Sequence, residues 1–428
     1  MQRTSVELFA GGGGLVQAST KAGFRHLLLN EFAPRACETL EANGFARHGE
    51  GSRPSVPEPG GRVPLVAGDV RKLEMEYLAE CGVDLLAGGP PCQPFSLGGV
   101  ARGDEDQRNM FPEMFRAVRE IRPKAVICEN VVGLLRSSFA PYFEYIQREL
   151  TLPFVERPEG IAWREHDNSL RERIELGDTD PAKRYDVLRV RVNAADYGVP
   201  QIRHRVILVA FRGDLGVDMA EFEKSVRPTH SKELLVQALR DGSYWGDHGK
   251  VDKRVRGRIT ARYADELPFE GPATSGDEPR SRWLTLRDAI KGLPEIDLTK
   301  LDKTTEQGDW PDHVGWPGAR IYTGHTPNEL DQPAKTVKAG VHGVPGGESV
   351  MMLDKWVEDP QIPGGRQYLH RYMTVRETAR VMTFDDGWKL RGPRGERMRQ
   401  LGNAVPVRLG QVFAQAVSDA LDAAESRA

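Results

Sequence analysis

The residues best able to do chemistry lie in one short run, Gly88-Gly89-Pro90-Pro91-Cys92-Gln93-Pro94-Phe95-Ser96. A cysteine in apolar surroundings is an inert small hydrophobe, which is the reading for Cys37, Cys81 and Cys128. Cys92 stands instead among prolines and glycines, which stiffen the backbone and stop it continuing as helix. A thiol on a rigid loop points to a thiolate nucleophile. No second Cys or His stands at ligand spacing from it, which argues against a metal. Glu129 and Asn130 follow the apolar run Ala125–Cys128, and a carboxylate there is expensive to bury without a task or a partner. Downstream, Gln201-Ile202-Arg203-His204-Arg205 sets two arginines two residues apart, on one face if extended, with a structural His204 turned the other way.

A second group suits a nucleoside. Glu7-Leu8-Phe9-Ala10 runs into Gly11-Gly12-Gly13-Gly14, where glycine allows a sharp turn and close approach of a ligand. The spacing is not the dinucleotide fingerprint, because Val16 or Gln17 occupies the position of the last glycine. Glu31 comes twenty residues after Gly11, where an acid can bind ribose hydroxyls. Asp69, in Gly68-Asp69-Val70, could accept from an adenine amino group. Either acid alone reads as a cap or a solvated turn. Both at successive strand ends beside a glycine loop suit an adenosyl ligand without a pyrophosphate.

Apolar runs of strand length must position these residues: Ser5–Phe9, His26–Leu29, Leu65–Ala67, Val83–Ala87 and Ala125–Cys128. Helical patterns fill the gaps, most clearly Gln107–Ile121, with Phe111, Met114, Phe115, Val118 and Ile121 on one face. Alternating β and α elements predict an α/β, doubly wound and mostly parallel sheet, with Tyr185–Val192 and Arg205–Phe211 as an antiparallel hairpin at its edge. From about Gly213 to Gln367 periodicity fades and Gly and Pro recur, which predicts a smaller domain of loops and short strands. Val405–Ala423 reads as a C-terminal helix.

The chain has 428 residues, 39% hydrophobic and 28% charged, as expected of a globular protein with a large and a small domain. No apolar run approaches a membrane span, and Met1 leads almost at once into a strand-like run, leaving no room for a signal peptide. Four dispersed cysteines indicate a reducing, cytoplasmic location. A net charge of −3 does not announce a nucleic-acid binder, so any such role rests on local stretches. Lys250–Arg262, with Arg254, Arg256 and Arg258, is one, and Arg280–Arg287 another; either could simply be a solvated face.

Taken in order, several motifs resemble those of the DNA cytosine-5 methyltransferases of bacterial restriction–modification systems. They are Phe9-Ala10-Gly11-x-Gly13-Gly14, Gly89-Pro90-Pro91-Cys92-Gln93-Pro94-Phe95-Ser96, Asp106-x-Arg108-Asn109, Glu129-Asn130-Val131 and Gln201-x-Arg203-x-Arg205. Arg371-x-x-Thr374-Val375-Arg376-Glu377-x-Ala379-Arg380 and Leu401-Gly402-Asn403-Ala404-Val405-Pro406 resemble the last two motifs. Asp331–Val337 resembles a linker element, and Phe384-Asp385-Asp386 replaces the usual Phe-Pro-Asp, implying a looser turn.

The resemblance implies a Rossmann-like methyltransferase domain from 1–212 and 396–428, and a target-recognition domain from 213–395. It implies that Cys92 attacks carbon 6 of a flipped cytosine and that Glu129 binds N3 and the exocyclic amine. Arg205 would hold the base carbonyl, and Arg203 the cysteine loop or a phosphate. Phe9, Gly11, Gly12, Gly13, Glu31, Asp69, Val70, Pro91 and Asn403 would surround S-adenosylmethionine, leaving S-adenosylhomocysteine as product, with no metal. Gln93, Ser96, Arg254, Arg256 and Arg258 would contact double-stranded DNA. A monomer follows, with a cognate restriction endonuclease as a possible partner. Two rivals stand beside this: a tRNA cytosine methyltransferase, whose Cys-Phe-Thr element is absent here, and an inactive DNA-binding relative, which would lack the cysteine or the glycines.

Overall fold

The five apolar runs of the N-terminal half become neighbouring strands of one sheet in the computed structural model, which describes residues 2–91, 109–264, 274–275, 278–301, 310–321, 323–324, 326–339, 350–358 and 365–427. The strands are β1 (Thr4–Leu8), β2 (Arg25–Glu31), β3 (Ala46–His48), β4 (Pro64–Ala67), β5 (Leu85–Gly88), β6 (Ala125–Val131), β7 (Tyr185–Asn193) and β8 (His204–Arg212). Their order is β3-β4-β2-β1-β5-β6-β8-β7. Pairing is parallel from β3 to β6, and β8 joins β6 antiparallel. Helices α1 (Gly14–Lys21), α2 (Pro34–Ala42), α3 (Phe111–Ile121), α4 (Ala140–Thr151) and α5 (Trp163–Leu176) accompany the sheet. Val6, Leu8, Leu28, Leu86 and Val126 are fully buried against Phe115, Val118 and Phe143, so the continuous apolar strands are the core of a covered sheet. The helix expected from Gln107 starts four residues later, at Phe111; residues 107 and 108 lie outside the described set. Asn109 sets that start by accepting from Phe111 N at 3.3 Å, with Pro112 in the first turn.

Contacts divide the chain into two units: 1–192, 204–226 and 410–428, and 193–203 with 227–409. The first therefore includes α6 (Met219–Ser225) and most of the last helix, α12 (Val407–Glu425). Glu425 at the end of α12 contacts Arg3 at 3.1 Å and Lys124 at 2.7 Å, fastening the C-terminus beside the starts of β1 and β6.

The second unit is rich in loops and short strands, as expected, and carries short helices among them. It holds α7 (Lys232–Asp241), α8 (Lys253–Arg262), α9 (Leu286–Ile290), α10 (Val375–Val381) and α11 (Arg394–Asn403), and a hairpin of Val350–Glu358 with Arg366–Tyr372. Leu235, Leu239, Tyr244, Trp245, Val255, Ile259 and Trp283 form its own core. Thr285/Asp288 and Thr374/Glu377 close capping boxes at α9 and α10. The turn at Phe384, expected to be loose, is braced: the Asp385 carbonyl accepts from Arg376 Nη1 at 3.2 Å and from Trp388 N at 3.0 Å. Among the described residues no helix is long and apolar enough to cross a membrane.

One buried acid lies between α4 and α5. Burial pushes the Glu149 carboxyl up to about 7, opposed by Tyr145 and by Arg157 and Arg119. Tyr145 also bonds His166 Nδ1 at 3.0 Å, and burial lowers that imidazole's pKa. Because the folded carboxyl holds its proton to higher pH than the unfolded one, its ionisation opposes folding increasingly as pH rises toward 7. Glu149→Gln is therefore expected to unfold like the parent near pH 5 and to gain about 2 kcal/mol near pH 8, read by urea denaturation at both. Equal shifts at the two pH values would show that Glu149 is not the group involved.

Candidate functional site

Parallel strands end at the same edge of a sheet, so the residues after β1, β2, β4, β5 and β6 converge there in the first unit. After β1, Phe9 takes φ +56°, rare for a side chain of its bulk, and Gly11 and Gly13 take φ +55° and +91°. A side chain on Gly11 would be strained by that φ although it would meet only the Phe9 carbonyl, at 3.9 Å. The loop turns into α1 with Gly13 N bonded to Ala10 O at 3.0 Å. Glu31, closing β2, accepts from Gly11 N on one carboxylate oxygen and from Ala33 N on the other, each at 2.7 Å. The expected ribose acid thus also fixes the glycine turn. Phe32 follows it with its ring 72% exposed, a feature the sequence reading missed. An aromatic directly after the acid that ends a strand was the available signal.

Asp69 sits after β4, where it caps the single turn Val70–Lys72 through Arg71 N and pairs with the Arg71 guanidinium at 2.5 Å. That pairing holds its carboxyl below the ordinary range. The capping role anticipated for an isolated acid is what the structure shows; Val70 beside it is buried.

At the other half of the edge, Gly88 of β5 is opposite Cys128 of β6, which puts Gly89 next to Glu129. A Cβ on Gly89 would stand 3.7 Å from the Glu129 carboxylate. Glu129 is 8% exposed, and its Oε1 lies 2.8 Å from Arg205 Nε, on the antiparallel neighbour β8. The approach is not aligned as a hydrogen bond, so this buried oxygen has a charge partner but no donor aimed at it. Asn130, to which no role was assigned from sequence, donates to the Pro90 carbonyl at 3.1 Å, and Met110 N donates to Pro91 O at 3.5 Å. Pro90 and Pro91 are thereby held from both sides. Cys92, Gln93 and Ser96 lie outside the described residues.

Arg203 and Asn403 lie in the second unit. Arg203 is 1% exposed, and its guanidinium donates to the carbonyls of Val337, Gly402 and Ala404 at 2.9, 2.8 and 3.0 Å. It thus clamps the two residues flanking Asn403, whose side chain ends α11 exposed. The linker-like stretch runs beside it: Ala334 bridges Gln201, and Thr336 Oγ1 donates to Ile202 O at 2.7 Å. Gly402 is required, since any Cβ would come within 2.5 Å of the Lys338–Ala339 peptide. His204 is exposed, contrary to a structural role. Of the three arginines singled out on α8, Arg254 is exposed, Arg256 bonds the carbonyl of Val251 at 2.7 Å, and Arg258 lies over Tyr368.

A family model described as C-5 cytosine-specific DNA methylase matches residues 3–151 and 175–419. Type II methyltransferase M.NgoMIV of Neisseria gonorrhoeae is 28% identical over 431 residues, covering 98% of this chain and 99% of its own. DNA (cytosine-5-)-methyltransferase M.ApeKI of Aeropyrum pernix is 25% identical over 478 residues, covering 98% of this chain and 99% of its own. Among solved structures, S. pombe Dnmt2 methyltransferase aligns over 99% of each chain with a TM-score of 0.53 at 15% identity, a likeness of fold.

Proposed function

The chain belongs to the family of C-5 cytosine-specific DNA methylases, and on that premise we propose that it methylates carbon 5 of a flipped-out cytosine in a short duplex sequence through a covalent bond to Cys92. It is a DNA (cytosine-5-)-methyltransferase; the route is our reading. The observation that carries it is Glu129: a carboxylate buried at a strand end, beside Arg205, with one oxygen lacking a hydrogen-bond donor. Such an acceptor is costly unless a ligand supplies the donor.

The residues at the first unit's edge fit S-adenosylmethionine. The glycine turn leaves room for close approach, Glu31 stands beside it at the end of β2, and Phe32 offers a face on which adenine can stack. Phe9, Gly11, Gly12, Gly13, Asp69, Val70 and Pro91 would complete its surroundings. When bound, the cofactor supplies an electrophilic methyl group.

A cytosine must leave the stack before its carbon 6 can be reached. The Cys92 thiolate then bonds to carbon 6, and the displaced electron pair makes carbon 5 nucleophilic. Glu129 holds N3 and the exocyclic amine, stabilising charge that builds as the thiolate adds, and Arg205 holds the base carbonyl. After the methyl transfer carbon 5 loses its proton to a base, the carbon–sulfur bond breaks, and Cys92 leaves as thiolate. Arg203 contributes by fixing the turn that presents Asn403. In this reading segments 1–212 and 396–428 carry the chemistry and 213–395 recognises the target. The enzyme works in the cytoplasm as a monomer, and the relatives' designation as type II methyltransferases supports a partner endonuclease.

Methyl transfer from labelled S-adenosylmethionine to duplex DNA and to transfer RNA tests the proposal. Label in DNA is expected; label in RNA alone would contradict it.

A further inference from the structure

Several arginines of the second unit are held in ion pairs. Arg287 pairs with Asp331 and Asp354 at 2.6 and 2.7 Å, Arg282 with Asp288 at 2.8 Å, and Arg371 with Glu377 at 2.5 Å. Arg258 and Arg366 make no such pair among the described residues; each instead lies over an aromatic ring. Arg258 is 4.2 Å from the Tyr368 centroid, Tyr368 and Trp356 have centroids 6.0 Å apart, and Arg366 is 5.0 Å from the Trp356 centroid. Trp356 and Tyr368 are opposite partners in the hairpin, and Arg366 is two residues from Tyr368, so the column occupies one face. Arg258 reaches it from α8, with its Nε buried and unbonded.

The helix that delivers Arg258 is itself unusual. α8 carries Lys253, Arg254, Arg256, Arg258 and Arg262 and no acidic residue. Arg254, Arg258 and Arg262 recur at four-residue spacing on one face, where like charges repel. Glu329 pairs with Arg262, whereas Asp354, Asp331 and Glu329 act on Arg258 only at a distance, with no ion pair among the described residues. The fork of Arg258 stays open to an external acceptor.

We propose that Arg258 and Arg366 read guanines in the recognition sequence, each held in advance over one ring of the edge-to-face Tyr368–Trp356 pair. The proposal rests on the reading above that the chain acts on duplex DNA. A guanidinium presents two parallel donors, and only guanine offers the matching acceptor pair, O6 and N7, in the major groove. A phosphate accepts the same fork but carries no sequence, whereas a base edge makes the contact depend on one guanine. Each ring restrains its guanidinium before binding, so less conformational freedom is lost on contact.

The test uses the full chain with its cognate duplex, identified by bisulfite sequencing, and versions carrying 7-deazaguanine at each guanine in turn. This analogue pairs normally but lacks the N7 acceptor. The wild type is expected to lose about tenfold in kcat/KM at one substituted guanine for each arginine. Arg258→Ala and Arg366→Ala should each be slow on the natural site and indifferent to 7-deazaguanine at one position. Arg258→Lys, which keeps the charge but not the fork, should behave like the alanine variant and guards against loss of fold. Arg254→Ala should slow every duplex alike. Variants that rank the duplexes as the wild type does would overturn the assignment. A wild type that methylates no duplex would overturn the parent reading, and this one with it.

Discussion

Cys92→Ala is expected to lower methyl transfer on the order of ten-thousandfold or more, while S-adenosylmethionine binds with nearly unchanged affinity. In the sequence Cys92 follows β5, whereas the glycine turn follows β1 and Glu31 closes β2. No other thiol can take over. Burial raises the Cys37 thiol to about 12, and Cys128 and Cys81 are also pushed up, so all three remain protonated at neutral pH. Cys128 is the useful control, because it lies on β6 directly before Glu129 and is buried among apolar neighbours. Cys128→Ala should cost stability and spare turnover. Single-turnover methylation and cofactor titration separate the two variants; turnover retained by Cys92→Ala would remove the covalent mechanism.

Glu129→Gln is expected to reduce the methyl-transfer rate by about a hundred- to ten-thousandfold, again without loss of cofactor binding. The amide keeps the shape of the side chain and an oxygen acceptor but cannot pass a proton to N3, which neutralises the charge the base gains as the thiolate adds. It also leaves Arg205, 2.8 Å away, without its carboxylate partner. Removing one member of a mostly buried pair costs stability as well, so the loss must be read under conditions where the variant is folded. The discriminating quantity is the split between kcat and KM: loss of a group needed only as the adduct forms lowers kcat, whereas loss of one that merely holds the ground-state base raises KM. A purely structural role would appear as lost folded protein with normal turnover in what remains.

Much of the first unit could be read from sequence because its parallel strands are buried on both faces and show as uninterrupted apolar runs. The residues that follow those runs fall at the correct edge of the sheet from their order in the chain alone. The short β3, Ala-Arg-His, has no apolar run and escaped notice. So did α5, whose Trp163–Leu176 segment is so polar that only His166, Asp167 and Leu170 are buried. In the second unit the spacing of Leu235 and Leu239 after the Ser231 cap was a helical signal, obscured by the surrounding glycines and prolines.

The site divides along the same line. The types of Glu129, Arg205 and Glu31 were legible because a strand end makes their placement local. The use of Arg203 was not, because its acceptors lie at Val337, Gly402 and Ala404, far along the chain. Nor was the bond from Asn130 to Pro90, which joins the ends of two strands. Asp69 caps the turn after β4 and pairs with Arg71, a local role that its type allowed and that stands beside the cofactor contact proposed for it.

The central claim is the covalent bond between Cys92 and carbon 6 of the target cytosine. A duplex bearing 5-fluorocytosine at the methylated position, incubated with the full chain and S-adenosylmethionine, tests it directly, because fluorine at carbon 5 cannot leave as the proton does. An adduct that survives denaturation is expected, with mass spectrometry placing the DNA on the peptide that contains Cys92. Methylation of the natural duplex with no trapped adduct, or an adduct on any other residue, would contradict it.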